Sequence, residues 1–342
     1  MPEIDEAKLK ELIKKSPVGA YLIYGEEQYL VGVYTDKLVN ACVDESFRDF
    51  NLRVFEPDSE TDLSDIYEAC SAVPMMAERK CVLVKNYPVD KAEDKDVKML
   101  EMILQDNPED NCLIFSYPAN NPKATDIKPF ATLFTKHGYT VKFGKKTKDD
   151  LRKVIESGAL KRGKSFEKGV ADYLVTSVGD DLKLLGNELE KVCAYAGETI
   201  KKSDVDAVCI KSLEANVFDM VKDLMAGRFD TAFGKLSLLF ANREDEYMIL
   251  GALISQYTDI YRAVSAVSAG GRATDVAAYY PSYKGKDFKL NNAARNGSKM
   301  SLPQIGKCIE ILSLADTALK STGGDKKQIL EQTLVKLARA GR

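Results

Sequence analysis

The chain has 342 residues, 45% of them apolar and 30% charged, with a formal net charge of −3. That length provides for two or three domains, and that apolar share builds globular cores rather than a disordered or fibrous chain. No run approaches the roughly 20 apolar residues of a membrane span, and the acidic opening Met1-Pro2-Glu3-Ile4-Asp5-Glu6 lacks a signal-peptide pattern, so a cytoplasmic protein without a membrane partner is expected.

Residues 8–15 read as a short amphipathic helix. Ala20-Tyr21-Leu22-Ile23-Tyr24 is an apolar run stopped by Gly25, as a buried strand would be. From Glu26 to Cys42, Tyr29, Leu30, Val33, Tyr34, Leu38 and Val39 recur at helical spacing. Strand, glycine turn and helix form the geometry of a phosphate-binding site, but the residues deny the chemistry. A phosphate loop needs GxxxxGK[ST], whose backbone N–H groups and lysine neutralise the anion. Here the run is Gly25-Glu26-Glu27-Gln28-Tyr29-Leu30. Two carboxylates at a helix N-terminus suit the helix dipole and repel a phosphate. The expectation is a nucleotide-binding scaffold with no nucleotide and no other cofactor.

Asn51-Leu52-Arg53-Val54-Phe55 reads as the next strand. Leu63, Ile66, Tyr67 and Cys70 then mark one apolar stripe of a helix. Pro74 disfavours helix at the residue before it. Met75 and Met76 would therefore sit side by side at a helix end. At about 100° per residue they would also be out of phase with the stripe. Two readings fit: the pair folds back onto its own domain, or it enters an apolar pocket on another protein, a role that flexible, polarisable Met suits.

Cys81-Val82-Leu83-Val84, Cys112-Leu113-Ile114-Phe115 and Thr140-Val141-Lys142-Phe143 read as further strands, with a helix over Val97–Gln105. Such alternation predicts a parallel sheet. A working ATPase would carry strand-end carboxylates for magnesium. Val84 is instead followed by Lys85-Asn86-Tyr87, and Phe115 by Ser116-Tyr117-Pro118. Lys142 to Lys148 is a charged, hinge-like stretch, beyond which the chain turns helical. Phe166, Val170, Tyr173, Leu174 and Val178 form one stripe, and Gly179-Asp180-Asp181 a break and cap. Further helices are expected over 182–192, from 203, and over 217–226, 229–241, 244–268, 302–321 and 325–340. The last group would form an independent bundle.

The seven cysteines are scattered without a CxxC pair, and His137 is the only histidine. Spacing therefore argues against a zinc site and a disulfide framework. Residues 1–140 hold 26 acidic and 16 basic side chains, the remainder 26 and 33. Nucleic acid would prefer the second part, although a solvated surface explains the split equally.

Four stretches resemble one family, in order along the chain: Ala20–Leu30, Gly179–Lys191 (GDDLKLLGNELEK), Asn216-Val217-Phe218-Asp219 and Leu319-Lys320-Ser321-Thr322-Gly323. The chain is similar in them to the bacterial DNA polymerase III delta subunit. That resemblance implies an α/β plus all-α fold: a degenerate AAA+ module followed by a helical collar. Residues 1–142 would be the α/β domain, 143–211 a helical lid and 212–342 the collar. It implies a clamp-loader component without ATPase activity of its own, within the DNA-directed DNA polymerase holoenzyme. The expected partners are the beta sliding clamp, the gamma/tau ATPase subunits, delta-prime, and primer–template DNA in the assembled complex.

The family's clamp contact is a pair of adjacent large hydrophobes at a helix tip. Met75 and Met76 occupy that place, with Val73 and Pro74 shaping the tip; many relatives carry Phe or Leu instead. No catalytic or metal-ligating residue is implied, and Asn187, Glu188 and Glu190 would cap or pair within the lid. One alternative is a delta-prime or gamma-type subunit, but neither a four-cysteine zinc module nor a Ser-Arg-Cys string occurs. The other is an autonomous nucleic-acid-binding protein, for which no zinc, RNP or basic helix-turn-helix signature is present.

Overall fold

Short apolar runs flanked by turn residues become the strands β1 (Glu3–Ile4), β2 (Gly19–Tyr24), β3 (Leu52–Phe55), β4 (Lys80–Lys85), β5 (Asn111–Ser116) and β6 (Tyr139–Lys142). They alternate with helices α1 (Glu6–Lys14), α2 (Gln28–Cys42), α3 (Arg48–Asn51), α4 (Leu63–Ser71), α5 (Asp94–Gln105) and α6 (Ala124–His137). This computed structural model describes residues 3–15, 17–56, 62–321 and 324–341, so Met1, Pro2, Thr322 and Gly323 lie outside the described residues. The chain divides into two units, Met1–Lys146 and Thr147–Arg342, and the division falls inside the charged stretch Lys142–Lys148.

In the first unit the strands form one six-stranded sheet in the order β1-β6-β2-β5-β4-β3. Every pairing is parallel, as the strand–helix alternation predicts. Successive side chains on a strand point to opposite faces, so each central strand feeds two cores. Ala20, Leu22, Val82, Leu113 and Phe115 join one face with Ile66, Ile103 and Phe130 of α4, α5 and α6. Tyr21, Ile23, Cys81, Cys112 and Ile114 join the other with Leu9, Val31 and Leu38 of α1 and α2. Burial on both faces explains why β5 is buried throughout and reads as continuous rather than alternating hydrophobicity.

The second unit opens with α7 (Lys148–Leu160), α8 (Val170–Val178), α9 (Leu182–Tyr195) and α10 (Lys202–Val208). Two short strands, β7 (Ser165–Phe166) and β8 (Thr199–Ile200), pair in parallel among them. Phe166 thus belongs to a strand, and the stripe assigned to it begins only at Val170. Asp181 caps α9 by accepting from the Leu184 N–H. Glu188, buried on α9, pairs with Lys191 at 2.6 Å and accepts from the Ile210 N–H, while Glu190 pairs with Arg162.

The remainder is helical: α11 (Leu213–Met225), α12 (Phe229–Ala241), α13 (Glu246–Ser268), α14 (Val276–Tyr279), α15 (Asp287–Gly297), α16 (Leu302–Ser321) and α17 (Lys326–Ala340). These helices share a core that includes Val217, Leu236, Leu253, Tyr257, Leu312 and Leu334. The expected class, α/β followed by all-α, is observed. Among the described residues no helix is long and apolar enough to cross a membrane.

Candidate functional site

The connection from α4 to β4 exposes three large apolar side chains within four residues. Helix α4 ends at Ser71, so Met75 and Met76 lie in the loop beyond it and not at the helix end that the sequence predicts. Ala72 already has extended backbone and ends the helix two residues before Pro74. Val73, Met75 and Met76 are 79%, 55% and 82% exposed. Met76 therefore faces solvent almost entirely, while Met75 keeps part of its surface against the chain. Pro74 is half-buried beneath them. Phe50 is also exposed and lines one shallow groove together with Val73, Arg53 and Phe55.

Two buried polar side chains hold this loop. Asn51, at the end of α3, accepts from the Met75 N–H at 2.7 Å and donates to the Met75 carbonyl at 2.8 Å. The same amide donates to the Phe47 carbonyl. Lys80, 5% exposed, donates to the carbonyls of Ala69 and Cys70, both at 2.6 Å. Those carbonyls belong to the last turn of α4, where a cation complements the unpaired helix end. Burial pushes the Lys80 pKa down from its ordinary value. Met76 sits at φ +54, in the left-handed region that a non-glycine residue occupies only when its surroundings impose it. The loop is a preformed tip with its apolar side chains turned to solvent.

The sequence names Met75, Met76, Val73 and Pro74 as the expected contact and gives no sign that Asn51 and Lys80 hold their loop. Asn51 reads as the start of a strand, and nothing local ties it to a residue 24 positions away. Lys80 reads as a strand-flanking charge.

The loop after β2 is closed. Gly25 has φ +138, and a Cβ there would come within 2.2 Å of the Phe143 carbonyl oxygen, so only glycine fits. The Glu27 N–H, at the start of α2, donates to that same carbonyl at 3.0 Å. An N–H that a phosphate loop would offer to its anion is thus spent on the chain. We expect calorimetry with ATP and magnesium to show no saturable heat; micromolar binding, about −8 kcal/mol, would contradict this.

Comparison with known proteins decides the family. The family model for the DNA polymerase III delta subunit matches residues 21–143, and the model for the C-terminal domain of the same subunit matches residues 214–337. The chain belongs to the DNA polymerase III delta subunit family. It is 24% identical over 336 residues to the DNA polymerase III subunit delta of Bacillus subtilis (strain 168), covering 96% of this chain and 95% of that protein. It is similar in fold to the Bacillus subtilis DNA clamp loader delta protein (YqeN), with a TM-score of 0.62 and 23% identity over 97% and 99% of the two chains. For this delta-family chain, the tip at Met75–Met76 lies within the first matched region and the shared helical core within the second.

Proposed function

We propose that this protein is the delta subunit of a bacterial clamp loader, which binds the beta sliding clamp through Met75 and Met76 and opens it for loading on primed DNA. The observation that supports the contact is the preformed tip: three exposed apolar side chains within four residues, pinned by Asn51 and Lys80. Exposed large hydrophobes held in place cost the free protein and serve a partner that buries them. Val73, being exposed, would join the contact, whereas half-buried Pro74 shapes the turn. Opening follows if the chain fits the opened clamp better than the closed one, since only differential affinity shifts that equilibrium.

In the same proposal, residues 143–211 act as the lid and 212–342 as the collar that joins gamma/tau and delta-prime in the cytoplasm. The experiment is capture of the purified chain on immobilised bacterial sliding clamp, with Asn51→Ala beside it. Losing the two bonds to Met75 frees the tip, so capture should weaken by about tenfold, or 1.4 kcal/mol, with Met75 and Met76 intact. Unchanged affinity in the variant would show that the tip needs no positioning.

Primer–template DNA has a candidate surface on the second unit. Tyr279, Tyr280 and Phe288 are exposed among Lys284, Lys286 and Lys289. Arg262 stacks 4.0 Å over Tyr280, and Lys148 lies over Phe288. Burial pushes the Lys148 pKa down, with Lys289 and Lys286 adding repulsion against the pull of Asp180 and Asp172. Interleaved rings and cations suit bases and phosphates. Lys284→Ala/Lys286→Ala should weaken DNA binding by the assembled loader and flatten its salt dependence by about two counterions; an unchanged slope would remove these lysines from the DNA path.

A further inference from the structure

Three cysteines that spacing keeps 31 to 70 positions apart meet in the first unit. Cys42 closes α2, while Cys81 and Cys112 stand near the starts of β4 and β5. Their sulfur atoms all lie within 4.8 Å of one another, and all three residues are buried. Cys81 and Cys112 are direct partners in the parallel register, so the sheet fixes two thiols side by side on one face. Cys42 supplies the third from the helix above, and its thiol donates to the Pro17 carbonyl at 3.3 Å. A carbonyl oxygen therefore stands beside the trio.

We propose that Cys42, Cys81 and Cys112 form a binding site for one thiophilic d10 cation, Zn(II) or Cu(I). Soft thiolates select such ions, and neither ion imposes a geometry through its d electrons. Zinc–sulfur bonds of about 2.3 Å place tetrahedral sulfurs about 3.8 Å apart, so the trio needs to close by about 1 Å at most. Zn(II) would take the Pro17 carbonyl as a fourth ligand; Cu(I) would be satisfied by the three sulfurs. Coordination forms three metal–sulfur bonds and releases up to three protons to the buffer. Cys42 is the least buried of the three, at 7% exposed against 0% for the others, which places the entry route on its side. The absence of a CxxC pair hid this arrangement, because its ligands come from a helix end and two strands.

The test uses the full-length, reduced chain under anaerobic conditions. Zn(II) is offered in competition with 4-(2-pyridylazo)resorcinol, and Cu(I) in competition with bicinchoninate. We expect one equivalent of one of these metals to be retained, and Tm to rise with metal concentration because the ion binds only the folded chain. Cys42→Ala and Cys81→Ala, each first shown to melt cooperatively, should lower affinity by about tenfold or more, whereas Cys308→Ala in the other unit should not. Retention of neither metal by the wild-type chain would overturn the proposal without any variant. Equal affinity in the cluster variants, or an equal loss in Cys308→Ala, would place the metal elsewhere and overturn it too.

Discussion

Met75→Ser/Met76→Ser should bind the beta sliding clamp at least about two orders of magnitude more weakly than the parent chain. Burying a Met side chain contributes roughly 1.5–3 kcal/mol, and a small central cluster commonly dominates an interface. Met76 is 82% exposed and loses nearly all of that on substitution, whereas Met75, 55% exposed, already makes part of its contact within the chain and loses less. About 3 kcal/mol for the pair corresponds to the stated factor. Because Met76 is almost fully exposed and Met75 more than half so, Tm should move little. Met76→Gly separates the two effects further. Glycine relieves the left-handed backbone at φ +54, so this variant should melt no lower than the parent while still losing clamp affinity. A stable double variant that binds like the parent would exclude the pair from the contact.

The second large effect concerns assembly. A chain ending at Lys211 should keep clamp binding and fall to background in co-purification with the ATPase subunits. The tip lies in the first unit and its supports, Asn51 and Lys80, lie there too. The helical core from Val217 to Leu337 is a cluster of its own, distinct from the two that flank the sheet of the first unit. Stoichiometric recovery of the shortened chain with gamma/tau and delta-prime would refute the collar assignment. Loss of clamp binding along with assembly would show that the two units depend on each other.

What the sequence disclosed follows from the range over which each signal acts. The long strands of the sheet were legible because both faces are buried and the apolar runs are unbroken, as in Ala20–Tyr24 and Cys112–Phe115. Helices with a clear stripe, such as α4 and α12, were legible from period alone. Helix α6 was missed because Pro129 stands inside it, where the ring removes a donor and breaks the local rule. Helix α15, with Asn291, Asn292 and Asn296 in its span, shows no convincing stripe. The pair β7–β8 is two residues long on each side, too short for any periodicity.

At the candidate site, the exposed residues were legible from a proline and two adjacent methionines. Their geometry was not. The helix stops before the pair, the left-handed turn falls on a non-glycine residue, and the Asn51 clamp joins segments that only the sheet brings together. The meeting of Cys42, Cys81 and Cys112 was hidden for the same reason.

The most direct test of the account is a calorimetric titration of the purified wild-type chain into bacterial beta sliding clamp, without other subunits or nucleotide. The account predicts saturable binding that does not require ATP and is lost on adding an excess of a clamp-binding peptide that fills the same apolar pocket. No detectable heat and no co-elution at micromolar concentrations would contradict it.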